Sequence, residues 1–95
     1  MATVVGLLHL KLNIVQAFSL KDKRRVLKSF KDRLRNKHNV SVAEVGDLDA
    51  HRWSEVAVAM AGNDRGYVEG ALQGIVDAAA RHRDLVLADW QMEWL

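Results

Sequence analysis

The sequence contains no cysteine. That excludes disulfides, a thiolate nucleophile and a Cys-ligated zinc site, and it suits a reducing compartment. Long apolar runs are missing too. The N-terminal stretch MATVVGLLHLKLNIV is interrupted by Lys11 and has no basic leader. It is therefore read neither as a signal peptide nor as a membrane span of ~20 residues. The chain shows no Gly-rich phosphate loop, no Ser–His–Asp order and no tuned carboxylate pair, so catalysis is not expected. The four histidines lack zinc-ligand spacing. Asp47, Asp49 and His51 resemble the start of a metal loop, but Arg52 and Val58 stand where a calcium loop requires glycine and glutamate. An Asp-rich turn is the ordinary outcome of such a stretch. The expectations are no enzyme, no cofactor, no metal, no small-molecule substrate, no membrane partner and a cytoplasmic location.

Acids are scarce in one place in particular. The formal net charge is only +2, yet residues 20–38 hold nine bases and two acids, while the rest of the chain holds five bases and ten acids. One element is a cation and the remainder an anion. Nearly half of the 95 residues are apolar, which marks a globular chain and not a disordered one. No linker, repeat or low-complexity segment divides it, so residues 1–95 are read as one small domain.

Hydrophobic spacing sets the elements. Val4 to Val15 alternates, with Leu8, Leu10, Leu12 and Ile14 on one side and His9, Lys11 and Asn13 on the other, as a half-buried strand does. Ser19 with Asp22 three residues on opens a helix in a capping-box-like arrangement. Leu20, Leu27, Phe30 and Leu34 form its core stripe, and the helix stops near His38–Asn39, where asparagine tolerates a left-handed cap. Val40–Gly46 and Trp53–Gly62 read as strands, the second with Val56, Val58 and Met60 inward. A helix follows Gly62–Asp64, with Val68, Leu72, Ile75 and Ala79 as its stripe, running to about Arg81. Leu85–Leu95 is a final strand with Val86, Ala88, Trp90, Met92 and Trp94 expected inward and Asp89, Gln91 and Glu93 outward. The order β-α-β-β-α-β, with right-handed crossovers, leads to an α+β ferredoxin-like fold: a four-stranded antiparallel sheet with two helices on one face.

The first helix carries the one feature that asks for a functional reading. Lys21, Arg24, Lys28, Lys31 and Arg35 follow the 3, 4, 3, 4 spacing of the core stripe one position later, so they form a cationic ridge beside it, about 21 Å long. Arg25 falls on the open solvent side, and Lys23 falls on the core side, where its stem is expected to be buried with the ammonium escaping to water. Cations at a helix N-terminus oppose the macrodipole, but they strengthen that end as a phosphate site, and the ridge could follow a phosphate backbone. Nucleic-acid contacts are therefore assigned to Lys21, Arg24, Arg25, Lys28, Lys31 and Arg35, with RNA or the ribosome as partner. Two plainer readings compete. Charged helix faces are commonly just solvated, and the acidic remainder could neutralise the helix within the fold or across a homodimer.

Two further surfaces bear on partners. Gly66, Gly70 and Gly74 recur every four residues opposite the second helix's apolar stripe, which would admit close approach of another backbone. The open sheet face is expected to show His9, Lys11, Asn13, Glu55, Ala57 and Ala59. That is no aromatic platform of the kind RNA-recognition motifs use, but an alanine-lined sheet could bind a second copy.

The segments VVGLLHLKL, SLKDKRRVLKSFKDRLRNKHNVSVAEVG, Asn63-Asp64-Arg65 and the terminal MEWL are similar to those of the YlxP-like bacterial family of unknown function, over almost the whole chain. The resemblance implies a small cytosolic bacterial protein with a ferredoxin-like fold. It also implies a gene neighbourhood of translation initiation and ribosome maturation, which points toward RNA without supplying an activity. The glycine row of the second helix departs from the family pattern.

Overall fold

The computed structural model describes residues 2–95. Its elements are β1 (Val4–Asn13), α1 (Leu20–Lys37), β2 (Ser41–Gly46), β3 (Trp53–Gly62), α2 (Arg65–Arg81) and β4 (Val86–Trp94). The strands form one antiparallel sheet in the order β2-β3-β1-β4. This is the ferredoxin-like arrangement that the spacing predicts. Strand β1 alternates without a break: Leu8, Leu10 and Leu12 are buried, whereas His9 and Lys11 are part-exposed. Because β1 lies between β3 and β4, its inward leucines form the floor of the core, with Val56, Val58 and Met60 beside them. Phe30 and Leu34 from α1 and Val68, Leu72 and Ile75 from α2 close that floor from above.

Glycine at position 6 sets how closely α2 can approach. A Cβ there would lie 2.7 Å from Leu72 Cδ1, 3.0 Å from Val68 Cγ1 and 3.1 Å from the Trp94 ring. The small residue therefore lets α2 and β4 meet over β1.

Each outer strand contains a bulge that the alternation does not foretell. Val45 is the extra residue of β2, between Glu44 opposite Val56 and Gly46 opposite Glu55. Ala88 is the extra residue of β4, between Leu87 opposite Leu12 and Asp89 opposite Lys11. A bulge reverses the sidedness of what precedes it. Leu87 consequently faces the core in place of Val86 and Ala88, and Val86 is half exposed. Trp90, Met92 and Trp94 keep the expected side, since they pair with Leu10, Leu8 and Gly6. Met92 and Trp94 pack against the core, but Trp90 is 40% exposed, in a recess beside the small residues Gly66 and Gly70 of α2. The helix end also departs from the expected form. His38 is extended (φ −135°) and its N–H bonds to the Leu34 carbonyl, while among the described residues Asp47, and not Asn39, is the non-glycine residue with positive φ.

Candidate nucleic-acid interface on the first helix

The start of α1 is capped by its own residues. Ser19 Oγ accepts from the Asp22 N–H at 3.1 Å, and Asp22 Oδ2 accepts from the Phe18 N–H at 3.0 Å. The capping-box reading holds, with the reciprocal bond going to the residue before the cap. An acid already sits at the positive end of the dipole, so a phosphate there would meet a carboxylate. Any polyanion contact belongs to the flank of α1 and not to its tip.

Lys23 accounts for one of the misplaced cations, and not as a ligand for anions. It is fully buried. Its ammonium donates to Glu44 Oε2 at 2.8 Å and to the carbonyls of Asp47, Leu48 and Trp53 at 2.9, 3.3 and 3.2 Å. Ser54 Oγ donates to the same Glu44 oxygen at 2.8 Å. The ammonium therefore does not reach solvent. It ties α1 to β2 and to the 47–53 turn because that turn aims its carbonyls inward, and a buried charge persists only when so satisfied.

The six assigned residues divide into two sets. Arg25 pairs with Asp22 at 3.3 Å, Lys28 pairs with Asp32 at 2.7 Å, and Arg35 donates to the Val42 carbonyl at 2.8 Å while lying 3.6 Å from Asp32. Lys28 holds the Asp32 carboxyl below its ordinary range, with Arg35 and Lys31 adding to the effect. Lys21, Arg24 and Lys31 make no ion pair among the described residues. The side chains of Arg25 and Lys28 are about three-quarters exposed, and pairs of that kind contribute ~0–1 kcal/mol and yield readily to a competing anion. A shallow recess between the helix and β2 is lined by Arg24, Lys28, Lys31 and Arg35, with Asp32 and Glu44 at its margin. The spacing thus brings five cations to one flank, and one helix acid, Asp32, neutralises only part of it.

A second group of bases escaped the sequence reading because it spans two elements. Arg33 from α1 and Arg81 and Arg83 from the end of α2 surround Ser29 and His82. His82 presents its ring edge to Phe30 at 5.8 Å, and burial lowers its pKa from the usual imidazole value, with Arg33 and Arg83 acting in the same direction and Asp84 against it.

The open sheet face is as polar as expected around Lys11, which contacts Asp47 and lies 3.6 Å from Glu55. Its pKa is raised, first by the hydrogen bond to Asp47. Trp53 adds an aromatic that the sequence reading left off this face. The residue is 39% exposed and its ring already carries the Lys11 ammonium at 5.3 Å, so it does not supply a platform for stacked bases. Among the described residues, no helix is long and apolar enough to cross a membrane.

Comparison with known proteins agrees with the resemblance drawn above. Residues 5–92 match the family model described as protein of unknown function DUF503. The chain is 34% identical over 73 residues to the uncharacterized protein YlxP of Bacillus subtilis (strain 168), covering 77% of this chain and 79% of that one.

Proposed function

The chain belongs to the DUF503 family of proteins of unknown function, and from that premise we propose that it is a non-catalytic, cytoplasmic RNA-binding module. It lays the flank of α1 along a phosphate backbone, ribosomal RNA included, without reading base sequence. The observation that carries this reading is the ridge itself. Lys21, Arg24 and Lys31 are free of acidic partners among the described residues, and Arg25, Lys28 and Arg35 are held only by exposed pairs or a single carbonyl. Such a ridge attracts any polyanion, and salt weakens it by restoring counterions to the phosphates.

The test is a titration with unstructured single-stranded RNA across a salt series. If four phosphates are neutralised, log K falls against log salt with a slope of about −2.8. Arg24→Glu together with Lys28→Glu should lower affinity for all sequences alike and bring the slope to about −1.4. Unchanged affinity in that variant refutes the reading. A pulldown from bacterial lysate, with and without nuclease, separates RNA from an acidic protein as the partner.

A second reading is favoured by a different observation. Leu7 pairs with Ala59 and Ala43 with Ala57 on the open face, leaving a short apolar strip beside the polar His9 and Lys11. A homodimer joined through that strip would bury it. Light scattering at low and high salt distinguishes an apolar dimer from a charge-held one, and a strict monomer removes this alternative.

A further inference from the structure

At the opposite edge of the sheet from β2, strand β4 pairs with β1 alone. The Leu95 N–H bonds to the Val5 carbonyl at 3.0 Å. Antiparallel alternation then turns the backbone groups of Trp90, Met92 and Trp94 away from β1, toward the free edge. The Trp90 N–H is taken by Asp89 Oδ1 at 2.8 Å, which leaves the edge open at Met92 and Trp94. Beside those residues runs a groove of about 510 Å³ between β4 and α2, lined by Trp90, Met92, Trp94, Glu69 and Gly70. Gly70 keeps it wide, since a Cβ there would meet nothing within 4 Å. On the other face of the same strand, Asp89, Glu93 and Glu55 line a second recess with Lys11, which is committed to Asp47.

The rings of this chain offer a second clue. Phe18 carries Arg52 at 5.4 Å, Trp53 carries Lys11 at 5.3 Å and Trp94 carries Arg65 at 4.5 Å. Trp90, exposed in the groove, has no such cover among the described residues. An uncovered indole beside carboxylates is an acceptor for a cationic side chain.

We propose that the β4 edge binds an extended basic segment of another protein. The segment adds as a strand against Met92 and Trp94, placing alternate side chains in the tryptophan groove and against Asp89 and Glu93. Charge complementarity selects this occupant. Glu69, Asp89, Glu93 and Glu55 outnumber the cations Arg65 and Lys11 here, which disfavours phosphate. A second copy offering its own β4 would set Asp89 and Glu93 against themselves, and like charges across strands destabilise. A copy offering its basic β2 side would make a head-to-tail contact, which leads to rings or filaments and not to a simple dimer. This surface is independent of the RNA-binding ridge.

The probe is a fluorescently labelled hexapeptide of three Arg-Val repeats, titrated into the full chain, with a Glu-Val hexapeptide as control. The basic peptide binds, and the acidic one binds at least tenfold more weakly. Glu69→Lys with Glu93→Lys weakens binding about tenfold or more, and so does Gly70→Leu, which fills the groove where there is room and leaves the core untouched. Lys28→Glu, on the far side, does not weaken it. Equal binding of the two peptides, or unaltered affinity in Gly70→Leu and in the charge-reversed pair when circular dichroism shows both folded, overturns the proposal. Salt-sensitive growth of the protein in light scattering that Gly70→Leu abolishes also overturns it, since the occupant would then be a second copy.

Discussion

Lys23 shows how far a single side chain can be read from a pattern. Its place on the core side of the helix follows from spacing alone, but its partners do not, because three of them are backbone carbonyls of the 47–53 turn. Side-chain periodicity carries no information about where a turn aims its carbonyls. The resulting site is a small enclosed network of Lys23, Glu44 and Ser54. Removing the ammonium leaves a largely buried carboxylate without its counter-charge and takes a donor from three inward carbonyls. Lys23→Met should therefore cost about 3–5 kcal/mol in urea denaturation. Glu44→Gln should cost less, because the amide oxygen still accepts from the ammonium. The double variant should fall short of the summed losses by ~1 kcal/mol or more, as residues in one network do. A loss below ~1 kcal/mol in Lys23→Met would mean that the ammonium is not held as described. One of the misplaced cations at the start of α1 is thus structural, and the flank residues remain for a partner.

Periodicity served well for whole elements. Two 3,4-spaced stripes and the alternation of β1 and β3 suffice for the order, the sheet and the helix-covered face. They fail where the backbone slips by one residue. Nothing in VSVAEVG or LVLADWQMEWL announces that Val45 and Ala88 stand outside the ladder, since a bulge is set by twist and edge geometry and not by a residue type. Glycine shows the same division between pattern and context. The row in α2 drew attention by its spacing, yet Gly70 and Gly74 face open space, whereas Gly6 lies against three side chains. The expected consequences have opposite signs. Gly70→Ala or Gly74→Ala should stabilise α2 by up to ~1 kcal/mol, because alanine orders the helix more cheaply. Gly6→Ala should destabilise by about 1–3 kcal/mol through overpacking against Leu72 and Val68. Thermal melts of the three variants check both directions, and a stabilising Gly6→Ala would contradict the close approach of α2.

At the scale of the whole molecule, the distribution of charge matters more than its sum. The cations of α1 flank β2, and Asp89 and Glu93 stand on β4, so the two edges of the sheet differ in charge. Their backbones are guarded by opposite charges as well: Arg35 donates to the Val42 carbonyl on β2, and Asp89 accepts from the Trp90 N–H on β4. Side chains placed that way, together with a bulge in each strand, discourage pairing between copies. The partition of charge was legible in the sequence as a count, but the enclosure of the Lys23 ammonium and the gathering of Arg33, Arg81 and Arg83 on a different surface were not. A charge-swapped protein separates the effect of the ridge from that of the net charge. Arg24→Glu and Lys28→Glu combined with Glu69→Lys and Glu93→Lys restore the formal net charge of +2. If RNA responds to overall charge, the fourfold variant binds as the parent does. If RNA lies on α1, it binds as weakly as the twofold variant, with the same salt slope of about −1.4, because the added lysines stand at the β4 side, away from the edge that α1 flanks. Recovery of parental affinity in the fourfold variant would place the binding in the summed field and end the claim of a defined ridge.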